Sequence, residues 1–302
     1  MPRAMFQFLR LTSLFLFCCC ALHAAAEEPV PASSSASTET VDPDVLRKVR
    51  KLIRGTLSED NAERDKSWTD IRDMGNLITP GLLEIARDKA TPQPMLRSIL
   101  IALGDSKDPR SGPALLELLA SNDVNIRKGA ARALGDSGYK SGVIQLEAMG
   151  SNPKEDDEVR LFAAASAAKL GSAPALEHLK TLMKSPQPEI RSRAVFALGK
   201  FGGIAQVDAV AAALKDADVS VREDAVEALH RIKNRKAQGA LIDAISDADF
   251  HVRNAAMQAL RDTTHQKFEN EAKAWQDWWA KHKDDAEPAP QMKIKKFEKN
   301  EF

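Results

Sequence analysis

Residues 190–220 read IRSRAVFALGKFGGIAQVDAVAAALKDADVS, and residues 221–251 read VREDAVEALHRIKNRKAQGALIDAISDADFH. Both stretches begin with an apolar residue and an arginine, and small or apolar residues follow at matching positions. The leading arginine recurs at Arg64, Arg97, Arg127, Arg160, Arg191, Arg222 and Arg253. Its spacings of 30 to 33 residues are typical of a protein built from repeats.

Each unit contains a helical pattern when the arginine is taken as position zero. Small or apolar residues follow at +3, +4, +7 and often +10, which in the copy at Arg191 are Ala194, Val195, Leu198 and Phe201. This spacing places them on one face of an α-helix. The glycine at +11, Gly202 in this copy, can end the helix in a left-handed conformation. The second copy fits the pattern better with Leu96 than with Arg97 at position zero.

A second, shorter apolar stretch precedes each arginine, and a turn separates the two. In three copies an aspartate, Asp123, Asp218 or Asp249, stands four residues before the arginine. A carboxylate there can accept hydrogen bonds from the free N–H groups that begin a helix, with about 1 kcal/mol per cap. Neither helix of such a pair can bury its apolar face alone, so neighbouring pairs must stack. The sequence therefore predicts an all-α protein of stacked helical hairpins.

The strings DVNIR, DVSVR and DFHVR, which join the turn to the arginine, resemble those of the HEAT-repeat family, in particular its short bacterial variant that is also seen in phycobilin lyases. The resemblance covers residues 44–266 and implies a right-handed α-solenoid of about seven HEAT-like helical hairpins. It also implies that the repeat arginines pair with turn aspartates and so tie one repeat to the next. The arginines expected in this structural role are Arg127, Arg160, Arg191, Arg222 and Arg253.

The N-terminal end differs from the repeats. Residues 1–26 carry two arginines, an apolar run and a final group of alanines, which is typical of a secretory signal peptide. All three cysteines lie inside it. Residues 27–43 are rich in proline, serine and threonine and are expected to form a disordered linker. We therefore expect a periplasmic or secreted protein, with retention of the first segment as a membrane anchor as the alternative.

The C-terminal end carries a tryptophan-rich segment at residues 267–283. Trp275, Trp278 and Trp279 are spaced i, i+3 and i+4, so they share one face of a helix. We expect this helix to fold back and cap the last repeat, since three exposed indoles would be costly in water. The alternative is an anchor for a partner or a membrane interface. Residues 284–302 are expected to be a disordered tail.

The search for reactive groups finds no catalytic, metal or cofactor site. The six histidines are scattered, and the adjacent pair Glu177–His178 has the reverse order of the His–Glu pairs used by the di-iron hydroxylases built on HEAT-like repeats. No phosphate-binding loop or nucleophile motif is present. The 43 basic and 43 acidic residues are balanced, which argues against nucleic acid as a partner. The sequence thus predicts a chain that is not an enzyme, with no cofactor and no small-molecule substrate.

The surface left for a partner follows from the resemblance, which places the arginine-led helices on the concave face. Two middle copies carry apolar residues there, with basic residues around them. The predicted partner-binding residues are Leu161, Phe162, Lys169, Arg193, Phe196 and Lys200. An apolar patch with a basic rim suits a peptide segment. The alternative is that Leu161 and Phe162 pack into the longer turn at residues 151–157.

The function that this pattern favours is a non-enzymatic scaffold or adaptor that holds a partner protein or peptide on its concave face in the envelope or outside the cell. A different interpretation is attachment to a membrane or envelope surface through the basic first helix and the tryptophan helix. A third is a lyase-like or other enzyme-accessory role.

Overall fold

The structure is a computed structural model, and it describes residues 41–88, 90–268 and 271–285. The expected signal peptide at residues 1–26 lies outside the described residues. So do the linker up to residue 40 and the tail from residue 286. Among the helices of the described ranges, none combines the length and the apolarity needed to cross a membrane.

The described chain is helical throughout. In order, the helices are α1 (Pro43–Gly55), α2 (Asn61–Met74), α3 (Thr79–Arg87), α4 (Gln93–Ser106), α5 (Gly112–Leu118), α6 (Val124–Ser137), α7 (Val143–Ser151), α8 (Asp157–Lys169), α9 (Ala173–Leu182), α10 (Pro188–Phe201), α11 (Val207–Ala212), α12 (Val219–Ile232), α13 (Arg235–Ala244), α14 (Phe250–Thr264) and α15 (Ala272–His282).

The first fourteen helices pair as seven hairpins, and α15 follows them. The arginine-led helix of each hairpin packs on the arginine-led helix of the next, from α4 through α6, α8, α10 and α12 to α14. The shorter helices form a second, less closely packed row. The predicted all-α solenoid with a C-terminal capping helix is therefore confirmed.

The turn aspartates begin the arginine-led helices. Asp123 accepts hydrogen bonds from the N–H groups of Asn125 and Ile126, and Asp249 accepts them from His251 and Val252. These contacts satisfy N–H groups in the first turn, which have no carbonyl of the same helix to bond to.

The predicted helix ends hold at Gly138, whose φ is 74°. At Gly202 the helix also ends as predicted, directly after Phe201, but the φ of Gly202 is −94° and the left-handed conformation falls on the next residue, Gly203, with φ 60°. Positive φ values such as those of Gly138 and Gly203 favour glycine, which has no Cβ to clash. Glycine is not required at every stop, since Lys233 ends α12 with φ 52°.

The core runs along the stack between the two rows of helices. Leu198 on α10 and Leu229 on α12 are fully buried. α10 and α12 approach closely because Gly199 faces Ala228, and a methyl group added at Gly199 would overlap that alanine. In the second copy Leu100 is buried while Arg97 is exposed. Leu96 therefore occupies position zero there.

Candidate partner-binding surface

A ladder of arginines joins neighbouring repeats at the turns. Arg191 holds both carboxylate oxygens of Asp216, with Nε and Nη2 each 2.8 Å from an oxygen. Arg222 holds Asp247 in the same way at 2.9 and 3.1 Å. Arg127 holds Glu155 at 3.0 and 2.7 Å. Each arginine also donates from Nη1 to backbone carbonyls of its own turn. One guanidinium thus binds its own turn and the next.

The acid of this ladder is not the helix-capping aspartate. Asp216 and Asp247 each stand two residues before the capping aspartates Asp218 and Asp249, and each also accepts a hydrogen bond from that residue's N–H, at 2.9 and 2.8 Å. One aspartate begins the helix while the other receives the arginine of the preceding repeat. The Asp-Ala-Asp spacing at residues 216–218 and 247–249 was the sequence signal for this division.

Two of the five repeat arginines depart from the expected ladder. Ser185 occupies the position that Asp216 fills in the next repeat, so Arg160 instead pairs with Asp157 of its own helix at 2.7 Å. The Ser185 hydroxyl donates to the other oxygen of Asp157 at 3.0 Å. Arg253 lies in the last repeat, where its Nη1 donates to the carbonyls of its own turn at 2.7 and 2.8 Å.

The ladder predicts a dependence of stability on pH. Hydrogen bonds from Arg191 lower the pKa of Asp216 despite the opposing effect of burial. The pKa of an aspartate in an unfolded chain is about 3.9. Because the folded pKa lies below that value, the ionised carboxylate stabilises the fold at pH values above the unfolded pKa. This stabilisation is lost as the pH falls through the folded pKa. We expect the free energy of unfolding to decrease as the pH falls from about 5 to 3. The free energy of unfolding of the Asp216→Asn variant, whose amide cannot titrate, should decrease less over the same range.

Urea unfolding of both proteins at pH 7, 5, 4 and 3 measures this effect, with the wild-type chain at pH 7 as the reference. Identical losses of stability in wild type and Asp216→Asn would show that this carboxylate does not contribute to the dependence.

A pocket lies on the arginine-led row, where α4, α6 and α8 meet. It has a volume of about 280 Å³. Its apolar lining consists of Leu100, Ile101, Ala133 and Phe162, with Gly129 between them, and its polar rim of Arg97, Asn125, Lys128, Arg132 and Asp136. Ile101 is 42% exposed. The site thus combines an uncovered apolar surface with a mostly cationic rim.

The predicted residues lie partly in this pocket and partly elsewhere. Leu161 is only 3% exposed and belongs to the core, so its assignment to the partner surface is corrected. Lys128 at the same repeat position exposes 26% of its side chain, so Leu161 is more deeply buried than its counterpart in the preceding repeat. Phe162 is half-buried and lines the pocket.

The remaining predicted residues lie on both sides of Phe162. Phe196 faces the next repeat, with the guanidinium carbon of Arg231 5.1 Å and the Lys200 Nζ 5.9 Å from its ring centroid. Arg193 lies 6.0 Å from the Phe162 ring centroid. The two phenylalanines therefore face different helices, Phe162 facing α6 and Phe196 facing α12. The pocket lies nearer the first repeats than the sequence predicted.

The sequence-based site missed Ile101 and Arg97. A signal for both was present in the register of the second copy. With Leu96 at position zero, Ile101 falls at +5, the position of Phe196 in its own copy. Arg97 then falls at +1, which the resemblance assigns to the concave face.

The acids near the pocket are shared between cations. Glu158 pairs with Lys128 at 2.7 Å and with Arg193 at 3.4 Å. Its pKa is lowered chiefly by the hydrogen bond from Lys128. Asp136 pairs with Lys169 at 2.7 Å and with Arg132 at 3.2 Å.

The tryptophan helix α15 lies against α13. Trp275 is fully buried, and its ring packs edge-on against Phe268 with centroids 5.0 Å apart. Its indole nitrogen has no hydrogen-bond partner in the described part of the chain. Trp278 stacks on His282 at 4.9 Å, and Trp279 lies over Gly239. Trp278 and Trp279 are half-buried.

The first helix presents a cationic stripe. Arg47, Arg50, Lys51 and Arg54 are spaced i, i+3, i+4 and i+7 and line a crevice at the end of α1. Asp44 pairs with Arg47 at 3.0 Å, and Asp88 lies 3.6 Å from Arg50. Elsewhere, the described ranges hold no group of three or more His, Cys, Asp or Glu side chains placed to bind a metal ion.

A family model for HEAT repeats matches residues 79–155, 146–229 and 207–274. A curated relative, deoxyhypusine hydroxylase of Neosartorya fischeri, is 29% identical over 137 residues, which cover 42% of this chain and 40% of the relative. The chain thus spans less than half the length of that relative.

Two solved structures are similar to this chain. A chain from the structure of Kap95p and RanGDP is 13% identical with a TM-score of 0.53, over 84% of this chain and 36% of that one. Human deoxyhypusine hydroxylase in complex with glycerol is 17% identical with a TM-score of 0.34, over 74% of this chain and 98% of that one. At 13% identity, the likeness to the chain from the Kap95p and RanGDP structure shows the fold alone.

The curated relative corrects one prediction. The sequence predicted that the chain is not an enzyme, whereas the relative that matches at 29% identity is named for an enzymatic activity. The prediction rested on the absence of familiar catalytic motifs. The same helical hairpin occurs in enzymes and in binding proteins, so an absent motif is not sufficient ground, and the prediction is withdrawn.

Proposed function

Because the chain belongs to the HEAT-repeat family, we propose that the arginine-led face of its solenoid binds a segment of another protein in the pocket between α4, α6 and α8. The observation that carries the proposal is the exposure of Ile101 beside Leu100 and Phe162. An apolar floor open to water at the centre of a charged rim gains free energy when a partner covers it.

The size of the pocket limits what enters it. Its volume of about 280 Å³ lies just below the roughly 300 to 1,000 Å³ of sites that enclose drug-sized ligands. It suits one or two apolar side chains of a longer segment, each contributing about 1.5 to 3 kcal/mol on full burial. The fold is that of a repeat protein solved with RanGDP, which supports a protein ligand.

We propose the envelope or the outside of the cell as the compartment. The expected signal peptide at residues 1–26 supports an encounter with the partner in the envelope or outside the cell.

The test uses two matched isoleucines. Ile101 lies in the pocket, whereas Ile144 lies in the first turn of α7, in the other row of helices, and is 75% exposed. Peptides are selected from a random display library on the full wild-type chain, and their affinities are then measured for Ile101→Glu and Ile144→Glu. We expect Ile101→Glu to weaken binding by about tenfold or more, because it buries a charge against the bound apolar side chain. Ile144→Glu should change binding less than about twofold.

Circular dichroism and thermal unfolding of both variants serve as controls for folding. Selected peptides that bind wild type and Ile101→Glu equally would place binding elsewhere and overturn the proposal. The absence of any enriched peptide would also count against it.

A further inference from the structure

We infer that the bound segment carries a carboxylate next to the apolar side chain that enters the pocket. The inference rests on the proposed function and names the chemistry of its ligand. The charges around the pocket supply the argument.

The rim carries three cations, Arg97, Lys128 and Arg132, and one acid, Asp136, and three further charged residues lie beside it. Lys128 and Arg193 share Glu158, while Arg132 and Lys169 share Asp136. Each of the two carboxylates therefore neutralises one of the two cations that contact it, and positive charge is left over.

Arg97 adds a cation without compensation. Its side chain is exposed and forms no hydrogen bond or ion pair with another residue of the described ranges. A guanidinium can bind both oxygens of one carboxylate, and Arg97 lies beside the apolar floor formed by Leu100 and Ile101. An anionic group brought there finds a partner that no internal acid occupies.

The apolar floor decides which anion suits the site. Inorganic phosphate would meet the cations but would leave Ile101 and Phe162 exposed to water. A purely apolar peptide would cover the floor but leave the excess positive charge at the rim. A peptide with an aspartate, a glutamate or a terminal carboxylate within one or two residues of a leucine or an aromatic side chain satisfies both.

Three labelled peptides separate these contributions: GSEELFEESG, its glutamine counterpart GSQQLFQQSG, and GSEEAAEESG without the apolar pair. Fluorescence anisotropy with the full chain gives the affinities. In about 50 mM salt we expect the first peptide to bind about tenfold tighter than the second, because several ion pairs each contribute modestly. Its advantage should shrink as salt screens the charges. The third peptide should bind at least tenfold more weakly than the first.

Two variants locate the charge effect. Arg97→Ala should reduce the preference for the first peptide over the second by about threefold to fivefold. Lys273→Ala removes an 84% exposed cation on α15 and should leave the preference unchanged. Inorganic phosphate should not compete at concentrations near those of the salt.

The outcomes separate this inference from the proposed function. Equal binding of the glutamate and glutamine peptides, both weakened by Ile101→Glu, would overturn the carboxylate and leave the pocket standing. A preference for glutamate that Arg97→Ala and Lys273→Ala reduce equally would show a general charge effect and also overturn it. Binding of all three peptides without response to Ile101→Glu would overturn the proposed function itself.

Discussion

Replacing Trp275 by alanine is expected to lower the free energy of unfolding by about 3 to 5 kcal/mol, as for other fully buried aromatic side chains. The indole is fully buried and packs edge-on against Phe268 and Trp278. Its removal leaves a cavity between the tryptophan helix and the last hairpin and weakens the cap of the solenoid. Because the buried indole nitrogen lacks a partner in the described chain, part of the loss should be recovered by Trp275→Phe, which keeps an aromatic ring without the N–H group.

Trp278→Ala is the matched control, since Trp278 is half-buried and stacks on His282 near the end of the same helix. It should cost clearly less than Trp275→Ala in urea unfolding followed by circular dichroism. Equal effects of the two substitutions, or no effect of Trp275→Ala, would mean that α15 does not cap the stack through Trp275.

Leu198→Ala is expected to cost about 2 to 5 kcal/mol. Leu198 is fully buried on α10, at the point where Gly199 brings α10 close to α12. A close helix contact leaves the surroundings little room to collapse into the new cavity, so the cost should lie toward the upper part of the range.

Lys200→Ala, two residues further along α10, is the control. Lys200 is exposed, and its Nζ lies over the rings of Phe196 and Phe201, 5.9 and 5.4 Å from their centroids. Its removal should change the free energy of unfolding by less than about 0.5 kcal/mol. Equal losses for the two variants would show that the helix faces are wrongly assigned.

The fold was predictable because the same physical requirements recur in every repeat. Arg191 and Arg222, together with the small residues at +3 and +4, mark one buried helix face again and again. The capping aspartates mark where each such helix begins. Each copy repeats the evidence of the others, so an irregular copy does not obscure the pattern.

The site was only partly predictable because it depends on contacts between repeats. Leu161 and Phe162 are neighbours in sequence, and the pattern alone did not show that the first is buried while the second lines a pocket. Ile101 belongs to the copy whose register was shifted by one residue. The rerouting of Arg160 to Asp157 depends on a serine, Ser185, in the following repeat. Each of these features arises from residues about thirty positions apart or from a local shift in register.

The central claim is that the pocket around Ile101 holds a segment of another protein. The most direct measurement places the photo-reactive residue p-benzoyl-phenylalanine at position 101 or at position 144 of the full chain, in cells that produce it. After illumination, the crosslinked peptides are sequenced. We expect position 101 to crosslink one protein at one short segment, with an acidic residue beside an apolar one, and position 144 not to crosslink it. Crosslinks to the same segment from both positions, or none from position 101 while another position on the chain captures a partner, would contradict the claim.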